Sequence, residues 1–497
     1  MTPRSDVVSD LELLVRSRYG LLHIDTEEEE RAVALLRHLS GRLALPLFTW
    51  THARGLRRDG HDNAVYDTAQ PATALSHVLS SRLTALYHFA GLGAQLQNEA
   101  IAAQVREVAT ELSNRSGALV LSGTGLDVPE ALRPLLATVR LPVPNAADYR
   151  RLLQRIVRDV KQRGGSVRIE LAPEEERRLF NHLRGLTLLE SEKILTRAVV
   201  EDGRLTADDV RHVLQAKREV VEREGVLEYY PVEDNSTEVA GLDGLKEWLA
   251  KRRAIITSPD RAAAFGLSFP RGLLLIGVPG CGKSLCARAV AAEWGLPLLR
   301  LDTGALYNKY IGETEKNFRR AMQVAERVAP CVLFIDELEK AFAQGGEDGG
   351  VSQRVLGTFL TWLQDRQGDV FTVATANDVS RLPAEFLRKG RFDEIFFVDL
   401  PAAGARLEIA RIHLRRRHQE PECLDLDALV QATEGFSGAE LEQVVVSALY
   451  TAFAEGVALG TPHLLREAAA TQPLSVVVKE KVDALREWAR GRTVPAG

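Results

Sequence analysis

Gly277-Val278-Pro279-Gly280-Cys281-Gly282-Lys283-Ser284 sets glycines, a lysine and a hydroxyl at the spacing G-x-x-x-x-G-K-S. Residues of these types at this spacing bind phosphate. The glycines let backbone N–H groups turn inward around phosphate oxygens, Lys283 reaches the β- and γ-phosphates, and the Ser284 hydroxyl is an oxygen ligand for Mg²⁺. Leu285 opens the helix that follows. Further along, the apolar run Cys331-Val332-Leu333-Phe334-Ile335 ends in Asp336-Glu337. Asp336 is suited to hold Mg²⁺ through its water shell, and Glu337 to polarise the attacking water. A third apolar stretch, 371–376, delivers Asn377, whose amide bridges the water and the γ-phosphate. The three motifs in this order predict Mg²⁺-dependent hydrolysis of ATP.

Each motif needs a strand behind it. Leu273-Leu274-Leu275-Ile276 leads into the glycine turn, and 285–294 continues as a helix whose N-terminus adds favourable partial charge. A carboxylate at the C-terminal end of a strand faces the ligand crevice of an open parallel sheet. The pattern predicts an α/β domain over 231–401, closed by a helical lid over 402–497. A polar stretch at 230–236 serves as the main linker. Ahead of it, strand patterns at 19–25, 45–51, 83–89 and 118–122 alternate with helical patterns at 27–39 and 99–112, which predicts another parallel α/β domain over 1–145. The reading over 146–230 is helical, with Pro173 in a first turn.

A local echo joins the two halves. Gly185-Leu186-Thr187-Leu188-Leu189-Glu190 and Gly435-Phe436-Ser437-Gly438-Ala439-Glu440 each run from a glycine through an apolar residue to a hydroxyl N-cap opening a helix. The echo predicts a duplicated plan. The first half carries no phosphate loop, however: 19–25 runs into Thr26-Glu27-Glu28-Glu29-Glu30, whose carboxylates repel triphosphate. Thr26 and Glu29 fit a capping box at that helix start.

Bulk composition narrows the function class. A net charge of −5 and a pI near 6.2 argue against a nucleic-acid binder held by bulk charge. Arg411-Ile412-His413-Leu414-Arg415-Arg416-Arg417-His418 is the densest basic run; a solvated lid helix is its expected place, with nucleic-acid remodelling as the weaker alternative. The cysteines at 281, 286, 331 and 423 are too scattered for a disulfide framework or a metal cluster. With no apolar run long enough to span a membrane, a cytoplasmic protein is expected.

The motifs over 238–446 resemble an AAA ATPase module. In that resemblance Val239-Ala240-Gly241-Leu242-Asp243 is the segment that packs on adenine, so Gly241 and Leu242 are implied nucleotide contacts. Leu387-Arg388-Lys389-Gly390-Arg391-Phe392-Asp393 is similar to the second homology region, which implies that Arg388 and Arg391 are arginine fingers for a neighbouring subunit. Lys309-Tyr310-Ile311 resembles the first pore loop, and 345–350 the second. The lid motif carries Gly438-Ala439 instead of a sensing arginine, and Cys281 replaces a small hydroxyl residue, which makes thiol sensitivity an expectation if its pKa is lowered.

The start of the chain, Leu11-Glu12-Leu13-Leu14-Val15-Arg16 and Ile24-Asp25-Thr26, with Trp362 and Trp488 in their local contexts, resembles the AAA family of hypothetical chloroplast reading frame forty-six. That likeness spans nearly the whole chain. The implied fold is a P-loop AAA module with its lid, preceded by a degenerate AAA-like domain with a lid of its own. The implied assembly is a homo-oligomeric ring, as a hexamer, remodelling a protein client. The alternative is an ATP-dependent scaffold or switch that does not thread substrate.

Overall fold

The architecture is that of a computed structural model of the 497-residue chain, which describes all residues except 1–6, 27, 125, 142–143, 163–167, 207–208, 224, 232–237, 307–312, 343–348 and 367. The chain divides into two compact units, 1–167 with 187–201, and 168–186 with 202–497. The helical stretch expected at 146–230 therefore contributes to both units. Among the described residues, no helix is long and apolar enough to cross a membrane.

The first unit is built on strands β1 (Leu21–Asp25), β2 (Leu47–Thr51), β3 (Gly55–Arg58), β4 (Leu86–Ala90), β5 (Ala118–Ser122) and β6 (Leu136–Arg140). Their order is β3-β2-β4-β5-β1-β6, parallel except for β3. Side chains alternate along each strand, so Leu21, Tyr87, Phe89 and Leu121 face the helices Pro71–Ser81 and Glu99–Asn114. Leu22, Ile24, Leu86 and Val120 face Val7–Arg16 and Glu29–Leu43 on the opposite side. Burial on both faces explains why these strands read as continuous apolar runs. The strands β3 and β6 and the helix Pro71–Ser81 were not legible in the apolar pattern.

The second unit opens with the helices Pro173–Leu183 and Asp209–Glu222 and a short parallel pair, β7 (Arg168–Ile169) with β8 (Arg204–Leu205). Its main strands are β9 (Leu227–Tyr230), β10 (Gly272–Gly277), β11 (Leu298–Leu301), β12 (Cys331–Ile335), β13 (Val370–Ala376), β14 (Glu394–Val398) and β15 (Val494–Pro495). They run β15-β14-β10-β13-β12-β11-β9, with β9 antiparallel. Two of these strands lie outside the expected 231–401 span: β9 precedes it and β15 comes from the segment read as lid. An open sheet has two edges with unpaired backbone groups, and flanking segments cover both. Trp294 is buried in the core between this sheet and the helices Asp243–Thr257 and Lys283–Trp294, and Trp248 packs against it. Trp362 packs against the core on the other face. The lid packs Leu414, Leu429, Phe436, Leu441 and Val445 around its own core.

The five parallel strands of the first sheet have the same order as five of the second, although β3 follows its neighbour in the chain, β9 precedes the whole set, and β15 has no counterpart. Read from matching edges the sheets are β6-β1-β5-β4-β2-β3 and β14-β10-β13-β12-β11-β9, each closed by an antiparallel strand on the same side.

Candidate functional site

The strand β10 is buried along its whole length and ends at Gly277. Gly280 and Gly282 then take φ values of 78° and 83°, in the left-handed region that glycine tolerates best. A Cβ on Gly280 would come within 2.9 Å of Ser437 Oγ and 3.3 Å of the Ala439 methyl, so the loop seats closely on the lid. Gly282 caps the helix Lys283–Trp294, whose first N–H groups have no partner within the helix. This cradle, with a backbone too close to the lid for a side chain, fits a triphosphate.

Lys283 is buried, and its ammonium donates to the carbonyls of Gly277 and Val278 at 2.8 Å each. Burial lowers its pKa from the usual lysine range, and Glu339 and Asp336 are among the nearby groups that offset part of the effect. The Ser284 hydroxyl lies 3.3 Å from both Asp336 carboxylate oxygens. A serine hydroxyl beside a carboxylate is the oxygen donor set that Mg²⁺ takes. Leu285, expected to open the helix, is partly exposed beyond the loop. Pro279 is exposed at the loop's tip.

The acids stand at the C-terminal end of β12. Glu337 adopts φ 50°, ψ 59°, and its carboxylate accepts from Asn377 Nδ2 at 3.2 Å and pairs with Lys340 at 2.8 Å. Asn377, after β13, is thus held against Glu337, and its backbone N–H donates to Glu339 Oε1 at 2.9 Å. The Thr375 hydroxyl donates to Asp336 Oδ1 at 2.6 Å and accepts the Glu337 N–H at 2.9 Å. Neither Thr375 nor Glu339 was singled out in the sequence, although a threonine inside an apolar strand and a third acid after Asp336 were both visible. Glu339 is 3% exposed, and burial raises its carboxyl pKa.

The lid reaches the loop through the start of its helix Gly438–Glu455. The Ala439 N–H donates to the Gly280 carbonyl at 3.0 Å, and Ser437 and Glu440 close a capping box. Gly438 and Ala439 therefore lie against the phosphate loop. Gly241 and Leu242 both take left-handed conformations that turn the lead-in segment onto the helix Asp243–Thr257, and Leu242 packs on the same core as Cys281. Arg388 is exposed, whereas Arg391 donates to the Leu360 carbonyl at 2.7 Å. Asp393 of the same motif accepts the Gly272 N–H at 2.9 Å and so fixes the start of β10. Lys309, Tyr310 and Ile311 lie outside the described residues, as does most of the second loop.

Three expectations need correction. Burial pushes the Cys281 thiol up to about 12, which Lys283 only partly counters, so its pKa is raised where sensitivity would need it lowered. His413 is buried and faces Glu442 at 3.5 Å instead of lying on a solvated face, and Arg417 pairs with Glu442 at 2.7 Å. The helix there ends at Arg415, so the basic run is partly absorbed into the lid. Thr26 and Glu29 form no capping box. The Thr26 hydroxyl takes the Glu28 N–H at 3.0 Å, two residues on, so the helix begins with Glu28 at its N-cap.

Glu28 shows what replaced phosphate chemistry in the first unit. Its Oε1 accepts the Leu188 N–H at 2.6 Å and its Oε2 pairs with Arg31 at 2.9 Å. Leu188 opens the helix Leu188–Asp202, which Thr187 and Glu190 cap as Ser437 and Glu440 cap the lid helix. Between the adjacent central strands β4 and β5, His88 donates or accepts at Ser122 Oγ over 2.8 Å, and burial lowers its pKa to about 4. A cleft of about 630 Å³ lies beside these elements, lined by Glu30, Arg155 and Lys193 among others, without a glycine turn.

Residues 273–400 match the ATPase family associated with various cellular activities (AAA), and 423–466 match the AAA+ lid domain. Residues 7–141 and 147–224 match the N-terminal and second domains of SpoVK-like AAA ATPases. The chain is 33% identical over 488 residues to the AAA domain-containing protein ycf46 of Pyropia yezoensis, covering 97% of each chain. It is also 33% identical to that of Trieres chinensis, covering 97% of this chain and 96% of the relative. The proteasome-activating nucleotidase of Aeropyrum pernix is 40% identical over 208 residues, which is 40% of this chain and 50% of that one.

Proposed function

The chain belongs to the AAA ATPases, among the Ycf46-like AAA domain-containing proteins, and from that premise we propose that it hydrolyses ATP at the Lys283 site to remodel a protein client, as a ring of identical subunits. The observation that carries this reading is the convergence of Ser284, Asp336, Glu337 and Asn377 at one sheet edge beside the glycine cradle. Lys283 is the cation for the β- and γ-phosphates, and its present partners are loop carbonyls that a phosphate oxygen would outcompete. Ser284 and Asp336 would hold Mg²⁺, which would supply positive charge against the phosphate oxygens. Glu337 polarises the attacking water and accepts its proton, and Asn377 fixes the Glu337 carboxylate by donating to it from its amide. Arg388, exposed at the end of its turn, is free to reach a neighbour's γ-phosphate, which makes hydrolysis depend on assembly. Arg391, anchored on Leu360, sets the second homology region that presents it.

In functional terms the chain reads as four parts: 1–145, 146–230, 231–401 and 402–497. The first two form a degenerate platform, the last two the motor and its lid. The likeness of Lys309-Tyr310-Ile311 to a first pore loop supports action on polypeptide, and the relative named as proteasome-activating supports a protein client. We place it in the cytoplasm. The test is a Glu337→Gln variant. It should bind ATP, release phosphate about 10² to 10³ times more slowly, and hold the ring with its client for native mass spectrometry. Normal turnover by that variant would sink the assignment of Glu337.

A further inference from the structure

The ends of β12 and β13 are tied to each other in both directions, and each tie is made by a residue, Thr375 or Glu339, that has no role in the reading above. Thr375 has one hydroxyl proton and accepting lone pairs. Its proton goes to Asp336 Oδ1 at 2.6 Å, and a lone pair takes the Glu337 N–H at 2.9 Å. Its polarity is thereby fixed, and it is 1% exposed, so water does not compete. In return, Glu339, on the β12 side, accepts the backbone N–H of Asn377, on the β13 side, at 2.9 Å. The other Glu339 oxygen is buried without a hydrogen-bond partner. Glu337 needs such support. At φ 50° it sits in the left-handed region, which is costly for a residue with a side chain and persists only where surroundings hold it.

We propose that Thr375, with Glu339 as its counterpart, is a positioning residue for hydrolysis. Its hydroxyl aligns the metal-holding carboxylate of Asp336 and the water-polarising carboxylate of Glu337 on one scaffold, while Glu339 sets the height of Asn377. The inference rests on the ATPase reading of this site. Losing the hydroxyl orphans the Glu337 N–H and frees the Asp336 carboxylate to rotate. Displacing reacting groups by about 1 Å costs on the order of 10²-fold in rate.

The decisive experiment compares Thr375→Val, which keeps the shape and deletes the hydroxyl, with Thr375→Ser, which keeps the hydroxyl. Phosphate release is measured alongside the affinity of a fluorescent ADP analogue with and without Mg²⁺. We expect Thr375→Val to lower kcat roughly 10- to 100-fold with KM changed less than about threefold. Its gain in analogue affinity on adding Mg²⁺ should shrink, while affinity without Mg²⁺ holds. Thr375→Ser should recover most of both. Glu339→Gln, which still accepts from Asn377, should keep kcat within about threefold, whereas Glu339→Ala should not. Wild-type kcat and an unchanged Mg²⁺ response in Thr375→Val would overturn the proposal, as would equal losses in the valine and serine variants. No phosphate release by the wild-type protein would instead overturn the ATPase reading beneath it.

Discussion

After β10 the chain turns through Gly277, Gly280 and Gly282 to Lys283; after β1, in a sheet of the same strand order, it runs through Thr26 to Glu28, Glu29 and Glu30. One turn leaves backbone N–H groups and an ammonium for an anion. The other brings its own anion, the Glu28 carboxylate, and satisfies it with Leu188 and Arg31. Both units keep a capped helix opening next to that turn, held at Gly280 in one and at Glu28 in the other. The strand order and the capped helix opening thus persist without the phosphate-loop motif. They depend on apolar alternation and local hydrogen bonds, whereas the phosphate site depends on a few residues that can change sign of charge without disturbing the core.

That comparison is sharpened most by opposing substitutions at the two turns. Lys283→Ala should lower phosphate release about 10² to 10³-fold, because a positioned cation is lost from the phosphates. Glu28→Ala should leave phosphate release within about twofold, yet loosen the helix Leu188–Asp202, with faster hydrogen exchange at the Leu188 amide. Removal of its charge-assisted bond should cost about 1–3 kcal/mol. A Glu28→Ala variant that lost hydrolysis outright would break the division between a motor and an inactive half.

Acid should separate the halves next. His88 is buried, and its pKa is lowered to about 4 from 6.5. Its neutral form is the folded one, so its contribution is complete above pH 6.5 and is lost as pH falls towards about 4, amounting to about 3 kcal/mol at most. Hydrogen exchange in β4 should therefore speed up over that window, and His88→Gln should flatten the dependence. A pH-independent β4 would remove this difference between the sheets.

The smallest effects concern the shared feature. Thr187→Ala and Ser437→Ala should each cost about 1 kcal/mol by thermal melting, since each deletes an N-cap. Only Ser437→Ala should also weaken ATP binding, by roughly two- to fivefold, because that cap lies on Gly280. Equal nucleotide affinity in both variants would show that the lid cap does not sense the loop.

Much of this site was legible because its rules are local. Glycines, lysine and serine at fixed spacing after an apolar strand define a phosphate loop, and Asp336, Glu337 and Asn377 each follow a strand of their own. Buried strands such as Ala118–Ser122 were found at their observed bounds, since sheets covered on both faces need continuous apolar runs. β3 and β6 were missed because a half-exposed edge strand has too weak a pattern, with β6 carrying Thr138 and Arg140 among its apolar residues. Thr26 misled because a hydroxyl near acids satisfies a capping rule as well as a two-residue turn.

The amino-acid order by itself determined that a phosphate-loop motif stands at 277–284 and that none follows the strand at 19–25, because covalent spacing sets which N–H groups and charges can surround a phosphate. Only the tertiary structure decided that Thr375 ties Asp336 to Glu337, that Glu339 carries Asn377, that Glu28 caps a helix 160 residues away, and that burial raises the Cys281 thiol. Those partners are distant in sequence. Hydrogen bonds and desolvation act through space, so they exist only once strand order and lid docking have brought the groups together.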